Sequence, residues 1–173
     1  GAVAVIDPSR NGDGDATGFW NADEIKKVKD SGKTVLAYLA IGEAEDYRDY
    51  WKPAWKTSPP SFIDKPNDAD IYEGNFAVRY WEKGWQDVIL QRLDRIVAAG
   101  FDGVYLDKVD AFEDWEGKAP EGVDLHREMA AFIERIEQRG EKRSRVQIFH
   151  KTDGRLGRSP MNKSVSGVAI EEL

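Results

Sequence analysis

Carboxylates stand directly after apolar runs at several places in this chain of 173 residues. Asp107 follows Val104-Tyr105-Leu106, and Glu171 follows Val168-Ala169-Ile170. Glu43 comes just after Ile41-Gly42, Asp7 ends the run from Ala2 to Ile6, and Asp110 lies one turn beyond Asp107. A charged group at the end of a buried strand has a fixed position and is partly stripped of water, the two conditions that general acid–base chemistry asks of a carboxyl group. Two such groups facing each other could cleave a glycosidic bond, one protonating the leaving oxygen while the other attacks the sugar or activates water. On position, Asp107 is the nucleophile. Glu171, with its longer side chain, is the general acid and then the general base, whereas Glu172 would point the other way along a strand. The structural alternative is that these groups cap the next turn, or that Asp107 pairs with Lys108 or Arg79.

The remaining acids suit binding. Asp7 precedes Pro8 and could simply start a turn, while Glu43 could hold a substrate hydroxyl or amine. Gly42 allows close backbone approach at a strand end. Tyr38 and Tyr105 alternate within strands and are either core or ligand contacts, and Arg79-Tyr80-Trp81 could frame a sugar subsite. The candidate binding set is therefore Asp7, Tyr38, Glu43, Tyr80, Trp81, Tyr105 and Asp110.

Six Trp, six Tyr and seven Phe lie mostly outside the strand-like runs, and Trp51, Trp55, Tyr72, Tyr80, Trp81, Trp85 and Trp115 crowd the segments between them. One reading is that long loops bury their own satellite clusters. The other is that flat apolar faces with a negative quadrupole are offered to the C–H bonds of a sugar or to an ammonium group.

Several chemistries are excluded by composition. There is no cysteine, so disulfides, thiolate metal sites and cysteine nucleophiles are absent. The two histidines, His126 and His150, form neither an H-x-x-x-H nor an H-E-x-x-H pair, which argues against metal-dependent hydrolysis or deacetylation. Neither G-x-G-x-x-G nor a P-loop occurs, so no nucleotide is expected, and no metal or other cofactor either. The 25 Lys and Arg against 32 Asp and Glu give a net charge of −7. That balance speaks against nucleic acid and suits a neutral or cationic ligand. No apolar run approaches the roughly 18 residues of a membrane span, and Gly1 to Ile6 carries no charged leader followed by a long apolar stretch. A soluble monomer with a single domain over residues 1–173 is the expectation.

The elements that would position these carboxylates alternate. Ala2 to Ile6 reads as a buried strand, Asn21 or Asp23 caps a helix through Asp30, and Ser31-Gly32 ends it before the strand Thr34 to Ile41. Val88, Ile89, Leu93, Ile96 and Val97 give Trp85 to Ala99 a helical period that closes at Gly100, and Phe101 to Leu106 is a third strand. Asp124 caps a helix through about Gln138, followed by a basic turn from Arg139 to Arg145 and a strand from Val146 to Phe149. His150 to Ser164 reads as a mobile or incomplete connection, and Ser164 to Ile170 as a fifth strand.

Nearly continuous apolar strands separated by amphipathic helices demand a parallel sheet covered by helices. Open doubly wound sheets and closed barrels both satisfy this. Acids or polar residues at the ends of strand after strand, at Asp7, Glu43, Asp107, Asp110, His150 and Glu171, point to an α/β fold of the (β/α)8 TIM-barrel type, whose active sites lie at that rim. Five strands are visible and eight-strand barrels take roughly 200 to 250 residues, so the barrel is expected to be incomplete at one or both termini.

A set of strings carries a family resemblance: Val5-Ile6-Asp7-Pro8-Ser9; Ala37-Tyr38-Leu39-Ala40-Ile41-Gly42-Glu43-Ala44-Glu45 with Tyr47-Arg48; Val78-Arg79-Tyr80-Trp81; and Gly100-Phe101-Asp102-Gly103-Val104-Tyr105-Leu106-Asp107 with Val109-Asp110. In this order and combination, over nearly the whole chain, they resemble glycoside hydrolase family 114, known for endo-α-1,4-polygalactosaminidases. The resemblance implies a (β/α)8 barrel, catalytic acids at Asp107 and, in Gly167-Val168-Ala169-Ile170-Glu171, at Glu171, and an endo-acting glycosidase. It also implies a secreted or extracytoplasmic protein with a cationic amino-sugar polymer as substrate. Ammonium groups on that polymer would meet the acids Asp7, Glu43, Asp107, Asp110 and Glu171. The chain departs from the family where His150-Lys151-Thr152-Asp153 replaces a Gln-Asn pair and in lacking further strands at both ends. These departures leave a non-catalytic carbohydrate-binding barrel as the alternative.

Overall fold

The computed structural model describes residues 1–10, 14–64, 74–144, 147–152 and 155–158. Strand β1 (Val3–Ile6) leads through a single 3-10 turn at Asp15–Thr17 to helix α1 (Ala22–Asp30). Asn21 starts this helix by a reciprocal cap: its Oδ1 accepts from the Glu24 backbone N–H at 2.9 Å, and its Nδ2 donates to the Glu24 carboxylate at 2.8 Å. Gly32, with φ of 88°, stops it by donating its N–H to the Lys29 carbonyl. β2 (Thr34–Ala40) follows, then β3 (Glu43–Glu45), a 3-10 turn at Pro53–Lys56, β4 (Asn75–Ala77) and α2 (Lys83–Ala98). β5 (Gly103–Asp107), a 3-10 turn at Ala111–Trp115, α3 (Leu125–Ser144), β6 (Gln147–Thr152) and β7 (Arg155–Arg158) complete the described order.

The main sheet runs β1-β2-β5-β6-β7, with β1, β2, β5 and β6 parallel and β7 antiparallel to β6. The parallel strands stand beside one another in chain order, without the reversal that a doubly wound sheet requires. Right-handed crossovers taken in one direction put every helix on the same side. Accordingly, Val35, Ala37 and Leu39 of β2 and Val104 and Leu106 of β5 share one core with Ile25 of α1, Ile89, Leu93 and Ile96 of α2, and Met129, Phe132 and Ile136 of α3. The alternate residues Leu36, Tyr38 and Ala40, and Tyr105 and Asp107, fall on the opposite face. The described strands form a mixed α/β sheet with two ends; they do not by themselves close a barrel.

Three expectations change. The basic stretch from Arg139 is helix, not turn, up to Ser144. Arg139 reaches α2 and makes paired bonds to Asp94 at 3.0 and 2.6 Å, and cations suit a helix C-terminus. The connection after His150 is in its first half a β-hairpin, because β6 continues to Thr152 and β7 turns back on it. The small antiparallel sheet of β3 and β4 was not foreseen from the sequence. The strand expected at Ser164 to Ile170 lies outside the described residues, as does Tyr72.

Candidate active site

Asp107 is the last residue of β5, aligned with Ala40 of β2, and its carbonyl accepts from the Ile41 N–H at 3.1 Å. The chain leaves the strand at once: Lys108 adopts a left-handed φ of 60°, a conformation that costs a non-glycine residue about 1 to 2 kcal/mol. Gly42 accommodates this turn. A Cβ there would lie 2.2 Å from the Lys108 carbonyl oxygen and 2.3 Å from the Ala111 Cβ, so only glycine lets the ends of β2 and β5 meet. The Asp107 carboxylate accepts one hydrogen bond, from the Tyr38 hydroxyl to Oδ2 at 2.8 Å. Among the described residues no donor reaches Oδ1. Neither Lys108 nor Arg79 pairs with it; Arg79 donates to the Ser61 carbonyl at 2.8 Å and faces Asp64 at 3.5 Å.

Glu43 opens β3 and is buried, with Oε2 accepting from Asn75 Nδ2 of β4 at 3.2 Å. Burial pushes its carboxyl up to about 7. The charge of Lys108 opposes this, while Glu45, Asp114 and Asp107 reinforce it.

Asp7, at the end of β1, is enclosed by donors. Arg48 Nη1 and Nη2 bind its two oxygens at 2.9 Å each, and the Ser9 N–H and hydroxyl reach Oδ1 at 2.9 and 2.7 Å. Burial works against its charge, but the bonds from Arg48 and Ser9 prevail and hold its carboxyl below the usual range. Arg48 also donates through Nε to Glu45 at 3.2 Å, and Glu45 takes a short bond from the Tyr47 hydroxyl. Arg48 and Arg92 both grip Asp15, Arg92 at 2.5 Å, while Asp49 receives Arg92 and Arg95. Sequence reasoning passed over Glu45, Arg48, Asp15 and Arg92. Glu45 and Arg48 stood in the strings of the family resemblance without a role, and nothing local marked Arg92, which meets Asp15 across 77 positions.

Of the other candidates, Tyr105 lies half-buried on the face of Asp107. Asp110 is exposed at the start of the 3-10 turn, where its backbone carbonyl accepts from the Glu113 N–H. Tyr80 does not line a subsite: its ring is fully buried and its hydroxyl donates to the Leu125 carbonyl at 2.8 Å, docking the start of α3. Trp81 is half-buried and edge-on to both Tyr80 and Trp115. Trp51, Trp55, Phe62, Phe76 and Trp85 pack on each other, which is the satellite-cluster reading of the loop aromatics. Glu171 lies outside the described residues. His126 is exposed against Phe112, and His150 is registered with Leu106. Among the described residues no group of three His, Cys, Asp or Glu could hold a metal ion, and no helix is long and apolar enough to cross a membrane.

Asp7 and Asp107 thus stand at the C-terminal ends of parallel strands, and the model of glycoside-hydrolase family GH114 matches residues 2–173. The chain belongs to this family. This GH114 chain is 39% identical over 177 residues to an uncharacterised protein of Methanocaldococcus jannaschii, covering 99% of itself and 50% of that protein. It is 36% identical over 179 residues to one of Thermotoga maritima, covering 99% and 53%. It spans about half the length of the curated relatives it matches. Among solved structures, it resembles the glycoside hydrolase domain of PelA from Pseudomonas aeruginosa with a TM-score of 0.59 at 16% identity, over 88% of this chain and 59% of that one. It resembles Aspergillus fumigatus Ega3, solved in complex with galactosamine, with a TM-score of 0.58 at 17% identity, over 85% and 57%. At these identities the GH114 chain shares with them a fold.

Proposed function

We propose that this chain is the site-bearing part of an endo-acting glycosidase that cleaves α-1,4-linked, galactosamine-containing polysaccharide by a two-carboxylate mechanism. The observation that carries this reading is Asp107: a carboxylate at the C-terminal end of a parallel strand, with one oxygen tied to Tyr38 and the other without a donor among the described residues. Membership of a glycoside-hydrolase family supports the reaction class, and the galactosamine complex of Ega3 supports an amino sugar. In the proposed reaction Asp107 attacks the anomeric carbon as its bond to the leaving oxygen breaks, and Glu171 gives its proton to that oxygen. Water then attacks the same carbon, Glu171 recovers a proton, and Asp107 departs. Asp7, Glu43, Tyr105, Asp110 and Trp81 are proposed to line the substrate path. The consecutive parallel strands with helices on one face support a (β/α)8 barrel completed by strands beyond those described. On this reading the protein works outside the cell as a monomer, where such polymers lie.

The test is reducing-end release from partly deacetylated galactosaminogalactan by the wild type and by folded Asp107→Asn and Glu171→Gln. Each variant should lose rate by about 10²-fold or more. A wild type that binds the polymer without cleaving it would instead make the chain a carbohydrate-binding barrel.

A further inference from the structure

We propose that Tyr38 is a positioning residue for catalysis, fixing the plane of the Asp107 carboxylate through its 2.8 Å hydrogen bond so that the second oxygen is presented to the sugar. The inference rests on the reading of Asp107 as nucleophile.

The register makes the contact possible. β2 and β5 are parallel neighbours in which Tyr38 aligns with Tyr105 and Ala40 with Asp107, so Tyr38 and Asp107 share the face turned away from the helices, two residue levels apart. A tyrosine can span that distance along the strand. Ala40, the partner directly beside Asp107, has no side chain long enough to block it. The terminal torsion of an aspartate is broad and weakly preferred, so whatever hydrogen bonds reach the carboxylate decide its orientation. Among the described residues Tyr38 supplies the single one. The backbone beneath is already rigid: Ile41 bonds the Asp107 carbonyl, and Gly42 is interlocked with Lys108 and Ala111. The side-chain torsion is the freedom that remains, and the phenol removes it.

Tyr38 is fitted to donate and never to accept a charge of its own. Burial, the charge of Asp107 and the bond between them all hold the phenol protonated far above its usual range, with Glu45 and Tyr47 adding to the effect. The hydroxyl is therefore a neutral donor, and a hydrogen bond from it to an ionised carboxylate is a charge-assisted pair stronger than one between neutral groups.

Tyr38→Phe keeps the ring and its packing and deletes the donor alone. The expected result on galactosaminogalactan is a kcat lower by about 10- to 100-fold with KM within about twofold, as a misplaced reacting group costs rate and not ground-state binding. In an Asp107→Asn background the same change should cost nothing further, because the group it positions is gone. The inference is overturned if Tyr38→Phe retains kcat within about twofold, if it changes KM alone, or if it lowers the residual rate of Asp107→Asn by the same factor as in the wild type. An inactive wild type, or an active Asp107→Asn, would remove the reading of Asp107 itself, and the inference with it. An active wild type, an inactive Asp107→Asn and an unaffected Tyr38→Phe would overturn the role of Tyr38 alone.

Discussion

Gly42 and Lys108 show how little space separates the two strand ends that hold the candidate site. Gly42→Ala would drive a methyl group into the Lys108 carbonyl, and the left-handed turn at Lys108 has no slack with which to yield. Overpacking of this kind costs about 1 to 3 kcal/mol, so the melting midpoint should fall by several degrees and hydrolysis should fall with it. A second effect, dependent on pH, belongs to Glu43. Burial pushes its carboxyl up to about 7 in the folded protein, well above the range of a free glutamate, so the folded state binds the proton more tightly. Below about pH 4.5 both states are protonated and nothing is lost; between there and pH 7 stability declines as the pH rises, and above 7 the full penalty applies. Glu43→Gln should therefore raise the melting midpoint at pH 8 and leave it nearly unchanged at pH 4, which a pair of calorimetric scans would show. At this scale the sequence was informative about position and silent about partners. Asp107 and Glu43 were recognisable because each follows an apolar run, but nothing in the spacing of Asp7 and Arg48 foretold that they would close on each other.

At the scale of elements, periodicity and caps sufficed wherever local rules decide. α1 begins at the Asn21 cap and ends at Gly32, and α2 stops at Gly100, each read from residue type. The rules failed where distant partners intervene. α3 outlasts its apolar stripe because Arg135 and Arg139 tie it to Asp87 and Asp94 of α2, and β3 and β4 are three-residue strands that exist by pairing between residues as far apart as Glu43 and Ala77. The charge network of Arg48, Arg92, Asp7, Asp15 and Glu45 binds the loop after β1, and the end of β3 with the loop that follows it, to the flank of α2. Both guanidinium groups are almost wholly buried. Arg48→Met would strand Asp7 and Glu45 without their cation, a loss of about 3 to 5 kcal/mol, whereas an exposed pair such as Lys26 with Asp30 should contribute far less. Urea denaturation of Arg48→Met beside Lys26→Met would measure the contrast.

The molecule as a whole carries an excess of seven negative charges, and the strand-end acids concentrate part of it at one rim. If the substrate bears free amines, KM should rise with ionic strength for a deacetylated polymer and stay flat for a fully N-acetylated one, because screening acts only on the charged pair. Steady-state assays at low and high salt on the two polymers would decide it. The overall class was legible in the sequence because parallel strands need helices over them, whereas the described strands form an open order and do not settle closure into a ring.

None of the tryptophans lies on a strand: Trp51, Trp85 and Trp115 are buried in the core cluster, and Trp20, Trp55 and Trp81 pack against it, all in the loops after strands or the first turn of α2. Indole emission therefore reports on the layer above the strand ends, while amide circular dichroism reports on the helices and sheet beneath. The protein carries its own reporter of loop order, readable without a label: should the rim loosen before the sheet melts, emission will redden while the helical signal is still intact.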